Sequence, residues 1–67
     1  MEYGDHTIRK NIYPGLQVAI VQKADQKTGR ATYGVVRDIL TSSAVHHQGI
    51  KVRLTTGEVG RVQYIEG

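Results

Sequence analysis

His46 and His47, with Ser42 and Ser43 just before them, are the residues whose types and spacing first suggest chemistry. Two imidazoles can ligate zinc, and a serine hydroxyl beside an imidazole can serve as a nucleophile with its general base. Neither chemistry is completed by the rest of the chain. Adjacent residues in a strand point to opposite faces, and a zinc site needs further ligands that only His6 or a carboxylate could supply, since there is no cysteine. No acidic residue is placed nearby to orient a histidine, and so small a domain encloses little pocket. The expectation is a polar loop with no metal, no cofactor and no catalytic centre, in which Ser43 and His46 are open to phosphates or bases.

The basic residues are the second source of chemistry. Nine Lys and Arg against six Asp and Glu give a net charge of +3 and a pI near 9.5, a balance that points toward polyanions when the charges cluster. Two groups stand out. Lys27, Thr28 and Arg30 decorate a loop containing Gly29, which resembles a phosphate cradle as much as it resembles a solvated turn. It lacks the glycine spacing and strand-to-helix context of a P-loop. Lys51, Arg53, Arg61 and Gln63 lie in the C-terminal part, and whether they share a face depends on strand register.

The elements that must position these groups are strands. Pro14-Gly15 marks the entry to the folded region, so residues 1–13, polar and aperiodic, read as a flexible N-terminal arm and residues 14–67 as a single small barrel domain. Residues 16–21 alternate apolar Leu16, Val18 and Ile20 and form a half-buried strand. Residues 23–30 are a polar loop. A second β-rich run covers residues 31–41, with Gly34 as the expected site of a bulge or bend. After the loop of residues 42–49, residues 50–55 alternate cleanly, Ile50, Val52 and Leu54 on one face and Lys51, Arg53 and Thr55 on the other. Thr56-Gly57 then turns into a final run over residues 58–65.

Simple pairing outward from that turn sets Val52 against Arg61, which would put a charge in the core. A bulge at Gly60, with Gly60 and Arg61 both opposing Arg53, instead pairs Val52 with Val62 and Ile50 with Tyr64. That register places Lys51, Arg53, Arg61 and Gln63 on one outer face and Val18, Ile20, Val52, Leu54, Val62 and Tyr64 inside. Gly15-Leu16-x-Val18-x-Ile20 recurs as Gly49-Ile50-x-Val52-x-Leu54, so two similar hairpins are expected. The fold class is all-β: an SH3-like (KOW-like) antiparallel barrel of four to five strands, whose closure removes exposed edges.

The three segments, Gly15-Leu16-x-Val18-x-Ile20-Val21-x-Lys23-x-Asp25-Gln26-x-Thr28-Gly29, Gly34-x-Val36-x-Asp38-Ile39-Leu40-Thr41-x-Ser43, and Gly49-Ile50-Lys51-Val52-Arg53-Leu54 followed by Gly57-x-Val59-Gly60-Arg61-Val62, together resemble the YwbE family of small prokaryotic proteins. The resemblance covers nearly everything after residue 13. It implies a cytoplasmic protein with a short β-barrel and carries no activity with it. The family's His-Pro in the second loop falls at His46-His47, where this chain has His in place of Pro. There is also a looser similarity to KOW-like segments of ribosomal and transcription-factor domains, where a Gly-led strand and a basic hairpin contact RNA.

No stretch approaches the roughly 20 apolar residues of a membrane span, and the N-terminal residues lack the features of a signal peptide, so no membrane partner is expected. A cytoplasmic monomer is the expectation. The function expected is a non-enzymatic nucleic-acid-binding module, with RNA or another single-stranded nucleic acid as partner, and with Lys27, Thr28, Arg30, Lys51, Arg53, Arg61, Gln63, Ser43 and His46 as its contacts. The alternative is an SH3-like module for a protein partner in a larger complex. Aromatic grooves for proline-rich peptides are poorly supplied by Tyr3, Tyr13, Tyr33 and Tyr64, the whole aromatic set.

Overall fold

The computed structural model describes residues 5–67. Four strands, β1 (Gln17–Gln22), β2 (Thr32–Ile39), β3 (Lys51–Leu54) and β4 (Val59–Ile65), form a closed antiparallel barrel in which β4 returns to pair with β1. Short 3-10 turns at Arg9–Asn11 and Lys23–Asp25 are the helical elements among the described residues. The strands follow the apolar alternation: Val18 and Ile20 from β1, Val36 from β2, Val52 and Leu54 from β3 and Val62 from β4 fill the interior, joined by Leu16, Ile50 and Ile12. The all-β barrel and its two hairpins are those the alternation requires.

The register of the second hairpin differs from the sequence expectation. Lys51 opposes Arg61, Val52 opposes Gly60 and Arg53 opposes Val59. The extra residue that keeps Arg61 out of the core sits at the turn, not at Gly60. Leu54 N–H donates to the Glu58 carbonyl (2.8 Å) across a three-residue loop, Thr55-Thr56-Gly57, and Gly57 takes φ +101°, the left-handed position such a loop demands. The true irregularity of β4 comes later. Ala19 pairs with Tyr64 but Ile20 with Val62, so Gln63 is the extra residue. This resets the alternation: Ile65 packs against the core and Tyr64 stands 63% exposed, which corrects its expected burial.

Neither interior glycine is a bulge. Gly34 pairs regularly with Val18, and a Cβ there would meet Leu54 Cδ1 at 2.7 Å. The bulge of β2 lies instead at Arg37, between Val36 and Asp38. Residues 1–4 of the expected arm lie outside the described residues. Residues 5–13 lie against the barrel: Ile8 bridges to Val45, Ile50 N–H donates to the His6 carbonyl (3.1 Å), and Ile12 is 2% exposed within the core.

Candidate nucleic-acid interface

The outer face of β3, β4 and β1 carries one row of partners, Lys51, Arg61 and Val21, read across three adjacent strands. Directly opposite cations repel and destabilise a sheet unless an anion intervenes. Neither Lys51 nor Arg61 has a carboxylate within ion-pairing distance among the described residues. Arg61 is half-buried and held in place, because its Nη1 donates to the Gly49 carbonyl (3.1 Å) at the end of the second loop. Gln63 Nε2 donates to the neighbouring Gln48 carbonyl (3.2 Å). A planar, always-charged fork fixed in this way is suited to oxyanions.

Two open clefts meet at Arg61. One, of about 400 Å³, lies between Arg61, Gln63 and Gln48 on one side and Gln26 and Gly29 of the first loop on the other. The second, of about 440 Å³, continues past Val21 and Gly60 to Lys51 and Lys23. They share Val21, Gln26 and Arg61, so they form a single shallow groove with cations along one half and amides along the other.

The structure therefore gathers Lys51, Arg61 and Gln63 on the groove. Arg53 is also on the outer face but is taken up elsewhere, its Nη1 lying 3.2 Å from Asp38 Oδ2, an oxygen that Arg37 Nε also approaches at 3.7 Å. Lys27 and Arg30 are exposed on the first loop, while the Thr28 hydroxyl is engaged within the turn, donating to the Asp25 carbonyl (3.3 Å) and accepting from Arg30 N–H (3.4 Å). Ser43 is exposed on the second loop, outside the residues that line the groove.

His46 is half-buried. Desolvation first, then the charge of Arg61 and of His47, lowers its pKa below the ordinary 6.5. Its Nδ1 accepts the Gln48 N–H (3.3 Å), which requires that nitrogen to be unprotonated. The expectation that the adjacent histidines would face apart fails, because they sit in a turn and not in a strand: the rings stack 5.6 Å apart and 7° from parallel. Among the described residues no group of three His, Cys, Asp or Glu could hold a metal, and no hydrogen bond joins Ser42 or Ser43 to a histidine.

Lys23, Gln26 and Gln48 were not singled out from the sequence. Lys23 had a readable signal: it continues the outward phase of Gln17, Ala19 and Val21. Gln26 and Gln48 had none, because loops of residues 23–31 and 42–49 approach each other only in the closed barrel.

Comparison with known proteins shows a family and adds no activity. A family model described as Uncharacterized conserved protein (DUF2196) matches residues 5–65. The chain is 61% identical over 57 residues to the Uncharacterized protein YwbE of Bacillus subtilis (strain 168), covering 85% of this chain and 88% of that protein. No solved structure gives a significant match.

Proposed function

The chain belongs to the DUF2196 family of uncharacterized conserved proteins, and for this member we propose a non-enzymatic role in binding single-stranded nucleic acid, RNA foremost, as a cytoplasmic monomer. The observation that carries the reading is the Lys51–Arg61 pair: two cations opposed across β3 and β4, without a carboxylate among the described residues, one of them locked by the Gly49 carbonyl over an open groove. A phosphate lodged there relieves the repulsion between them. Lys23 extends the same half of the groove, and the amides of Gln26, Gln48 and Gln63 supply donors to phosphate or sugar oxygens. Lys27 and Arg30, exposed beside Gly29, add charge where a strand would leave the groove.

The test is an NMR titration with an eight-nucleotide single-stranded RNA at several salt concentrations. With about three phosphates neutralised, the logarithm of the binding constant falls against the logarithm of salt with a slope near −2, from about 0.7 per contact. Amide shifts concentrate at Val21, Gln48, Lys51 and Arg61. Binding that ignores salt, as expected for an apolar peptide docking to the barrel, or no shift at millimolar RNA or DNA, overturns the proposal.

A further inference from the structure

Next to the cationic groove lies a feature that phosphate binding does not use. Ala19 of β1 pairs with Tyr33 on β2 and with Tyr64 on β4, so the three form one row across neighbouring strands. Val18 and Ile20 point into the core, hence Ala19 between them points outward. It is nevertheless 0% exposed, while each tyrosine is 63% exposed. The tyrosines flank the alanine in the row and leave much of their own surface open. They do not stack on each other: the stacked ring pair among the described residues is His46 with His47. Strand spacing puts their backbones roughly 10 Å apart, and a cleft of about 470 Å³ is lined by Tyr33, Tyr64, Ile65 and Glu66.

Position and charge together say which part of a ligand belongs here. Ala19 is two residues from Val21, about 7 Å along β1 from the Lys51–Arg61–Val21 row. Glu66, whose N–H is tied to the Gln17 carbonyl (2.8 Å), is the charged residue at the cleft. A carboxylate repels phosphate, so the backbone of a strand is directed to the cationic groove and an uncharged ring to the tyrosines. Phenol faces receive such rings at small entropic cost, and stacking of bases on aromatic side chains is tolerant of sequence.

We propose that Tyr33 and Tyr64, astride Ala19, are a nucleobase-stacking cleft that works with the Lys51–Arg61 groove, the groove taking phosphates and the cleft taking a base. The pairing of the two sites rests on the RNA-binding reading above, whereas the cleft itself can be probed without any phosphate.

The probes are adenosine, which has a base and no charge, an eight-nucleotide adenylate RNA, and an abasic ribose-phosphate oligomer of equal length. Adenosine at millimolar concentration should move the Ala19 methyl and the Tyr33 and Tyr64 ring resonances to the same extent at low and high salt. The adenylate RNA should bind at least about fivefold more tightly than the abasic oligomer, from the loss expected per stacked base. Tyr33→Ala and Tyr64→Ala should each lose about fivefold or more in affinity for the RNA with the salt slope unchanged, and Tyr33→Phe and Tyr64→Phe should retain it. Amide spectra of the free variants show that the barrel is intact. If adenosine leaves the Ala19 methyl unmoved, or if the alanine variants bind RNA like the parent while Lys51→Ala weakens it, the cleft falls and the groove stands. A shift with adenosine and with the adenylate RNA that is equal at low and high salt, with none from the abasic oligomer, upholds the cleft and removes the groove. A trimethyl-lysine peptide that moves the Ala19 methyl where adenosine does not would make the tyrosines and Glu66 a cation cage and overturn the proposal.

Discussion

At Gly60 a Cβ would stand 2.6 Å from the Val21 carbonyl oxygen and 2.9 Å from its carbon. The obstacle is backbone of β1, which cannot swing aside as a side chain can. Gly60→Val should therefore destabilise by about 1–3 kcal/mol in urea titrations, for a reason of close approach and not of a bulge. A melting curve identical to the parent's would show that β1 and β4 are farther apart than described. His46 makes a second residue-scale prediction. Its pKa is lowered from 6.5 by partial burial, Arg61 and His47, so the unfolded chain takes up that proton before the folded one. The stability His46 contributes is present above pH 6.5 and declines as pH falls through its depressed folded value. A bound polyanion favours the protonated form, so RNA should raise the His46 pKa and RNA affinity should increase as the solution is acidified. An NMR titration of the His46 ring with and without RNA reads both, and an RNA-independent pKa would place the phosphates away from Arg61.

At the level of elements, the Thr55-Thr56-Gly57 loop sets which residues of β4 face the groove. Gly57 holds φ +101° with nothing within 4 Å of a built Cβ, so Gly57→Ala meets strain and no clash. A loss of about 1 kcal/mol is expected, with unchanged Lys51–Arg61 cross-strand contacts in the NOE pattern. The N-terminal segment contributes through Ile12, buried beside Leu16 and the barrel interior. Ile12→Ala should cost about 2–5 kcal/mol by urea denaturation, the usual range for a buried Ile truncated to Ala. An unshifted midpoint would set the segment apart from the core.

For the whole molecule, the decisive quantity is how the nine Lys and Arg are distributed, not the net charge of +3. Arg53 faces outward but lies on Asp38, so Arg53→Ala should leave the salt slope for RNA nearly unchanged. Lys51→Ala with Arg61→Ala should flatten it by about 1.4, two contacts at about 0.7 each. Arg61→Ala also removes the hydrogen bond to the Gly49 carbonyl, so a stability loss of about 1 kcal/mol is expected with it. Equal flattening by Arg53→Ala and by the Lys51 and Arg61 pair would mean that the groove is not where the backbone lies.

Strand positions and the identity of most of the core were legible from the amino-acid sequence, because a pleated strand with one buried face must alternate, and Val18, Ile20, Val52, Leu54 and Val62 do so. The outward phase of Lys51 and Arg53 followed from the same period, and that of Arg61 from the requirement that a charge stay out of the core. What the sequence left open is register, since one extra residue satisfies the pattern equally well at Gly60 or at the turn, and only the left-handed Gly57 and the close approach of Gly60 to Val21 settle it. The opposition of Lys51 and Arg61 with no carboxylate beside them among the described residues, the capture of Arg53 by Asp38 and the row Tyr33–Ala19–Tyr64 were decided by tertiary structure alone. Each depends on which strands become neighbours when β4 closes onto β1, and that pairing joins residues too far apart in the chain for any local pattern to record.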